Sequence, residues 1–189
     1  MSSSDNPLKS NVAELVNRIS RATHCLQFAS GLNPAQWDAL RYLSRANRFS
    51  RSPTALAEFL GTTKGTVSQT VRALENKGYV RRARHRADGR SVTLDVTAEG
   101  AAILEFDPIR QLEAAAAMLP GEAGAAIVSG LNRLMAELHA RCGTRVFGAC
   151  ERCGHLKDGR GDGDRCGLSG EPLTSGDKRQ MCVNFRAVR

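Results

Sequence analysis

Helix start and stop signals between residues 33 and 78 constrain the fold most strongly. Asn33-Pro34 and Ser52-Pro53 each place a capping side chain before a proline, which suits the first turn of a helix. Thr63 can cap a further helix. Gly61 and Gly78 lie where helices commonly end, because glycine adopts the left-handed conformation easily. The predicted order is a helix, a short helix, a tight turn and another helix.

Apolar residues at helical spacing predict a common core for these helices. The residues expected to face inward are Trp37, Leu40 and Leu43, then Leu56, Phe59 and Leu60, then Val67, Val71 and Leu74. After Gly78 the periodicity becomes that of strands. Residues 79–82 and 91–96 are predicted to form a hairpin, with Asp88-Gly89 at its turn.

Longer helices are predicted on either side of this unit. A first helix runs from about residue 8 to residue 29, with an apolar face of Val12, Leu15, Val16 and Ile19. Thr97 opens another helix toward about Met118, and Pro108 should kink or break it. Pro120 begins a last helix, whose apolar residues are Ala126, Ile127, Leu131, Leu134 and Leu138. The predicted fold class is mainly α with a small β-wing.

Positive charge is concentrated on the predicted turn, helix and hairpin. The chain carries a formal charge of +8, and the 36 residues from Gly61 to Val96 hold eight Lys or Arg against three acidic residues. Helices followed by a basic hairpin are typical of a winged helix-turn-helix that binds DNA. We expect the DNA-binding core at about residues 33–97.

The candidate DNA contacts are small polar and basic side chains that lie off the apolar faces. Small polar and amide side chains can approach base edges in the major groove, and arginine can reach a phosphate or a narrow minor groove. The residues expected to read the major groove are Thr63, Lys64, Thr66, Ser68, Gln69 and Arg72. In the hairpin, Arg84, Arg86 and Arg90 are expected to contact phosphates or the minor groove, with Asp88 holding a guanidinium in a fixed pose.

The stretch from Leu60 to Val80, LGTTKGTVSQTVRALENKGYV, resembles the recognition region of the MarR family of bacterial transcriptional regulators. Asp88-Gly-Arg90, Leu94 and Thr97-Ala-Glu-Gly100 resemble that family's wing and the start of its next helix. The resemblance covers about residues 8–142. It implies a winged helix-turn-helix with a helical dimerisation region, and a homodimer held by the first helix and the last two.

The resemblance also implies a function. Such a protein is a transcriptional regulator, more often a repressor, that binds double-stranded DNA at a palindromic operator. Many members release DNA when a small aromatic or phenolic compound binds between the dimer region and the winged domain. No catalytic constellation emerges from the sequence, so we do not expect an enzyme. A chain without a signal peptide or an apolar run of membrane length is expected in the cytoplasm.

The resemblance does not cover residues 143–189, which form a Gly-rich tail beyond the domain of residues 1–142. Cys150 and Cys153 form a CxxC pair, and Cys166 and Cys182 follow at intervals of twelve and fifteen residues. Four thiolates suit a tetrahedral zinc ion, and they also suit an iron–sulfur cluster. His155 could replace one thiolate. The tail has too few apolar residues to fold on burial alone, so bound metal would supply the missing stabilisation, about 10 kcal/mol or more for zinc.

Alternatives to this interpretation concern the cysteines. The tail could be a disordered extension with free thiols. A redox or electron-transfer protein could use the same four cysteines, although a CxxC of that kind is expected at a strand-to-helix turn. A regulator modulated by metal or redox state combines the two functions. Cys25 is expected to be a buried apolar residue, and Cys142 to lie at a helix end or act as a spare ligand.

Overall fold

The computed structural model describes residues 7–84, 92–143, 145–159 and 163–188. Its helices are α1 (Pro7–Leu26), α2 (Pro34–Arg45), α3 (Pro53–Leu60), α4 (Lys64–Asn76), α5 (Ala98–Ile103), α6 (Ile109–Ala117), α7 (Gly121–Cys142) and α8 (Ser175–Arg179). Its strands are β1 (Val80–Arg84), β2 (Val92–Val96), β3 (Gly148–Ala149), β4 (Leu156–Lys157), β5 (Arg165–Cys166) and β6 (Met181–Cys182). Among the described helices, none combines the length and apolar character that a membrane span requires.

The core lies between α2, α3 and α4, as the capping signals and apolar spacing predict. Asn33 caps α2 in a reciprocal capping box with Gln36, and Ser52 caps α3. Gly61 ends α3 in the left-handed conformation, with φ of 60°. The predicted core residues that are almost completely buried are Trp37, Leu40, Leu43, Leu56, Val67, Val71 and Leu74.

The prediction that Phe59 faces the core is wrong. Its side chain is 37% exposed and is not buried beneath α3. It packs at a ring-centroid distance of 4.6 Å from Tyr42, and at 5.3 Å from Phe147 in the tail. The aromatic contact therefore joins the helical core to a segment about 90 residues away in the sequence, which helical spacing alone could not reveal.

The wing is an antiparallel pair of β1 and β2. Val80 lies opposite Val96, and Arg84 lies opposite Val92. The backbone N–H of Leu94 donates to the carbonyl of Arg51 at 2.7 Å, which ties β2 to the loop between α2 and α3. The predicted turn at Asp88-Gly89 lies outside the described residues.

The helix predicted to run from Thr97 to about Met118 is broken, as Pro108 indicated. A 3-10 turn of residues 104–106 follows α5, and α6 begins after Pro108. At the break, a carboxylate oxygen of Asp107 accepts a hydrogen bond from the backbone N–H of Ile109 at 2.9 Å. The buried Asp107 also binds Arg41 of α2, with 2.8 Å between Arg41 Nε and Asp107 Oδ2.

The long flanking helices bury little within one protomer. No described residue of α1, α6 or α7 is buried, although each helix carries large apolar side chains. The first helix ends at Leu26, three residues before the predicted end. Cys25 is exposed, so the expectation that it is a buried apolar residue is wrong for the protomer.

The tail is built from short strand pairs that pack against the helical core. β3 pairs with β6, and β4 pairs with β5, both antiparallel. Thr174 and Asp177 form a capping box at the start of α8. Phe147, Met181 and Val183 pack against the main core. The described part of the tail is therefore an ordered extension, in contrast to the alternative of a disordered segment.

Candidate nucleic-acid interface and cysteine cluster

The helix α4 has one buried face and one exposed polar face. Val67, Val71 and Leu74 are at most 1% exposed. Thr63 caps the helix, since its hydroxyl oxygen accepts a hydrogen bond from the backbone N–H of Thr66 at 3.1 Å. The cap and the buried face together fix which side chains of α4 point into solvent.

The polar residues predicted to read the major groove all lie on this exposed side. Each of them is exposed, and they are Thr63, Lys64, Thr66, Ser68, Gln69 and Arg72. The hydroxyls of Thr63 and Thr66 lie 3.0 Å apart and share a hydrogen bond, so both are partly engaged at the helix start. Ser68, Gln69 and Arg72 extend along the helix beyond that cap.

Two arginines of the wing form ion pairs with acidic residues. Arg82 Nε lies 3.1 Å from a carboxylate oxygen of Glu75, and Arg81 Nε lies 3.7 Å from one of Asp95. The Arg84 backbone belongs to β1. The side chain of Arg84, and the residues Arg86, Asp88 and Arg90, lie outside what the structure describes, so their predicted DNA contacts stay predictions.

The four tail cysteines line one small cavity. Cys150, Cys153 and Cys182 are buried, and Cys166 is half-buried. They surround a space of about 50 Å³ together with Phe49 and other residues of the tail. The strand pairs bring them together: β6 places Cys182 opposite Gly148, and β5 places Cys166 opposite Leu156. Residues spread over 33 positions of the sequence thus meet at one site. His155, the alternative ligand, lines the same cavity.

Hydrogen-bond donors point at the sulfur atoms of Cys150 and Cys153. The side-chain amide of Asn47 donates to Cys150 Sγ at 3.5 Å, and the backbone N–H of Arg186 donates to Cys153 Sγ at 3.4 Å. Such donors favour thiolate sulfur, and they are common around metal-bound cysteines. Within the described residues, however, no group of three His, Cys, Asp or Glu side chains is arranged to hold a metal ion.

The neighbouring thiols also affect one another. Burial, followed by the proximity of Cys182, raises the pKa of Cys150 to about 11. Partial burial acts to raise the pKa of Cys166 as well, but hydrogen bonds from Ser169 and Leu168 outweigh it, and the pKa of Cys166 is lowered. A bound cation would offset the repulsion between the thiolates.

A further polar site lies on α2 beside α6. Arg41 donates from Nε to Asp107 and from Nη1 to Asp38, at 2.8 and 2.6 Å. Arg41 Nη2 and the indole N–H of Trp37 are buried, and each lacks a hydrogen-bond partner within the described residues. Trp37 itself is fully buried, as predicted. A cavity of about 170 Å³ next to Arg41 reaches Leu104, Asp107 and Ile109.

The sequence interpretation missed Asn47 and Ser50, in the loop between α2 and α3. Both side chains are completely buried and bind the cysteine-rich tail. Their partners lie 103 and 133 residues away in the sequence, so no local signal could have identified them.

These elements define the class of the protein. Capped α3 and α4, an antiparallel wing and long flanking helices form a winged helix-turn-helix. The sequence model of the MarR family matches residues 30–91. The regulator Mb0904 of Mycobacterium bovis is 31% identical over 105 residues, which cover 56% of this chain and 72% of Mb0904. The chain therefore belongs to the MarR family of transcriptional regulators.

A second relative and one solved structure are also similar to this chain. The transcriptional repressor YetL of Bacillus subtilis is 35% identical over 75 residues, which cover 40% of this chain and less than half, 45%, of YetL. The MepR–DNA complex of S. aureus superposes with a TM-score of 0.54 at 22% identity, over 66% of this chain and 96% of MepR. At that identity, the likeness to MepR supports the fold.

Proposed function

We propose that the chain is a transcriptional repressor that binds a palindromic operator as a homodimer. The observation that carries the proposal is the exposed polar face of α4, whose opposite face is locked into the core. Helices presented in this way enter the major groove in helix-turn-helix proteins. YetL is named a repressor, and MepR is described in complex with DNA, which agrees with this role. A repressor of chromosomal genes would work in the cytoplasm and needs no catalytic activity.

The side chains of α4 divide by chemistry into base-reading and phosphate-binding groups. Gln69 can bond to an adenine edge with two hydrogen bonds, and Ser68 can bond to several base edges. Lys64 near the helix start and Arg72 further along are suited to phosphates, where the helix N-terminus adds its own partial positive charge. The wing residues Arg84, Arg86 and Arg90, with Asp88, stay proposed contacts to phosphates or the minor groove.

The homodimer is supported by the apolar surface of the flanking helices. The helix α7 has 22 residues, and none of them is buried. Such a helix is stable only when its apolar face packs against a partner. The large exposed apolar residues of α7 are Ile127, Val128, Leu131, Met135 and Leu138, and those of α1 are Leu8, Val12, Leu15, Val16, Ile19 and Leu26. A second copy of this chain can cover both faces.

The site beside Arg41 supports the expected control by a small ligand. Arg41 lines the cavity of about 170 Å³, and its Nη2 is a buried donor without a partner in the described part of the chain. Such donors suit the oxygen atoms of a phenolic or carboxylate compound. The cavity lies between the winged unit and α6, where binding would influence both.

We further propose that Cys150, Cys153, Cys166 and Cys182 bind one zinc ion. Their common cavity and the N–H groups directed at Cys150 and Cys153 support this assignment. An iron–sulfur cluster is the alternative occupant of the same residues.

Replacing Arg72 by alanine should weaken binding to duplex DNA of any sequence, because a phosphate contact is lost. We expect a lower affinity, and a plot of the logarithm of the binding constant against the logarithm of the salt concentration whose slope is smaller in magnitude by about 1. Gln69→Ala should instead relax the sequence preference. Fluorescence anisotropy over a range of salt concentrations measures both, on duplexes that the wild-type protein enriches from a random library. Arg110→Ala on α6 removes the same charge as a control. Equal losses for Arg72→Ala and Arg110→Ala would contradict the role of α4.

Replacing Leu131 by glutamate should convert the dimer to monomers, since it places a charge in the centre of the apolar face of α7. Sedimentation velocity gives the mass directly. Ala136→Glu adds the same charge to the far side of the helix and should leave the dimer intact. A wild-type chain that sediments as a monomer would refute the homodimer.

Zinc content tests the tail site. The chain purified under reducing, anaerobic conditions should be colourless and carry about one zinc per chain, in keeping with four thiolate ligands. Cys182→Ser should lose the zinc, while Cys25→Ser on α1 should retain it. Elemental analysis with visible absorbance measures the outcome. Brown protein containing iron would assign the site to a cluster, and a chain with neither metal would contradict the metal site.

A further inference from the structure

The loop between α2 and α3, residues 46–52, is shared by the DNA-binding unit and the cysteine-rich tail. The backbone N–H of Asn47 donates to the carbonyl of Met181 at 2.9 Å, and Ala46 forms a bridge with the same strand residue. Met181 directly precedes Cys182. The loop is therefore joined to the strand that carries one of the four proposed ligands.

Side-chain hydrogen bonds extend this contact to the sulfur itself. Ser50 Oγ donates to Asn47 Oδ1 at 2.8 Å and accepts from the backbone N–H of Val183 at 2.9 Å. The amide of Asn47 donates in turn to Cys150 Sγ at 3.5 Å. Because Asn47 and Ser50 are completely buried, these bonds are not shared with water. A continuous path runs from a proposed metal ligand into the core.

The loop also contacts α2, α3 and the wing strand β2, which belong to the proposed DNA-binding unit. The Tyr42 hydroxyl donates to the backbone carbonyl of Ser50 at 2.8 Å. The backbone N–H of Leu94 donates to the backbone carbonyl of Arg51 at 2.7 Å. Ser52 caps α3, the first helix of the helix-turn-helix. One loop thus fixes the end of α2, the start of α3 and the strand β2 of the wing.

Charged contacts at the surface reinforce the docking. Arg48 lies 3.7 Å from the carboxylate of Asp177 and donates to the carbonyl of Pro172. Arg145, at the start of the tail, lies 3.1 Å from the carboxylate of Glu58 on α3. The tail is therefore held against both the loop and α3.

We propose that metal bound to the four cysteines raises the affinity for DNA by fixing this loop. The inference rests on the proposed metal site and on the proposed DNA binding. A bound metal would hold Cys150 and Cys182 in fixed positions, and Asn47 and Ser50 of the loop are hydrogen-bonded to Cys150 and to Val183 beside Cys182. The loop then holds α3 and the wing in one arrangement before DNA arrives. Binding to DNA loses less conformational entropy when the protein is already ordered.

The test compares DNA affinity with and without zinc on the full chain. Protein is stripped of metal under reducing conditions, and zinc is returned to half of it. The probe is a duplex enriched from a random library by the zinc-loaded protein. We expect zinc to raise the affinity at least about fivefold, which corresponds to the lower end of measured allosteric coupling. Equal affinity in the two states, or a higher affinity without zinc, would overturn the proposal.

Variants of the loop separate this coupling from metal binding. Ser50→Ala removes the acceptor for Val183, and Arg48→Ala removes the surface contacts to Asp177 and Pro172. Both leave the cysteines intact, so zinc content should stay at the wild-type level while the zinc-dependent gain in affinity falls. Ser44→Ala on α2, whose hydroxyl bonds only within its own helix among the described residues, serves as the control.

The outcomes distinguish a failure of the coupling from a failure of the metal site or of DNA binding. Should Ser50→Ala fail to fold, as judged by circular dichroism, the exposed Arg48→Ala carries the comparison. If Arg48 contacted DNA directly, Arg48→Ala would lower the DNA affinity equally with and without zinc. If the ratio of the DNA affinities with and without zinc stayed at the wild-type value in both loop variants, the coupling would be overturned. Absence of zinc, or absence of DNA binding, would instead refute the function on which the coupling rests.

Discussion

The buried hydrogen bonds of Asn47 and Ser50 are the interaction on which the rest of the arrangement depends. They satisfy polar groups that are closed off from water, and an unsatisfied group in such a place costs about 1–3 kcal/mol. Their partners come from α2, from each other and from the tail. Removal of the tail would uncover this loop and the core residues next to it. The winged unit and the cysteine-rich extension therefore form one packed structure.

Local sequence signals predicted the helical part of the fold well because they act over a few residues. Asn33, Ser52 and Thr63 cap their helices as expected, and Pro108 breaks the helix it was expected to break. The apolar spacing of α4 separated its buried face from the exposed one. The candidate DNA-reading residues on that helix could be identified for the same reason.

Long-range contacts escaped prediction because nothing in their immediate sequence records them. Phe59 fits the apolar spacing of α3, yet it packs against Phe147 of the tail and stays partly exposed. Cys25 lies near an apolar face whose partner is missing from the protomer, so it is exposed. The charge balance of residues 61–96 could be counted from the sequence, but the count could not show that Glu75 and Asp95 pair with Arg82 and Arg81. Compositional charge is therefore a better guide to the presence of an interface than to its individual contacts.

We infer that the tail and the α2–α3 loop form one cooperative unit held together at the cysteine cluster. Hydrogen exchange followed by mass spectrometry tests it most directly, because the amides of Asn47 and Val183 are bonded across the contact. With zinc bound, peptides containing these amides should be protected together, and removal of zinc should expose both. Protection of the loop that persists while the tail exchanges freely would contradict the account.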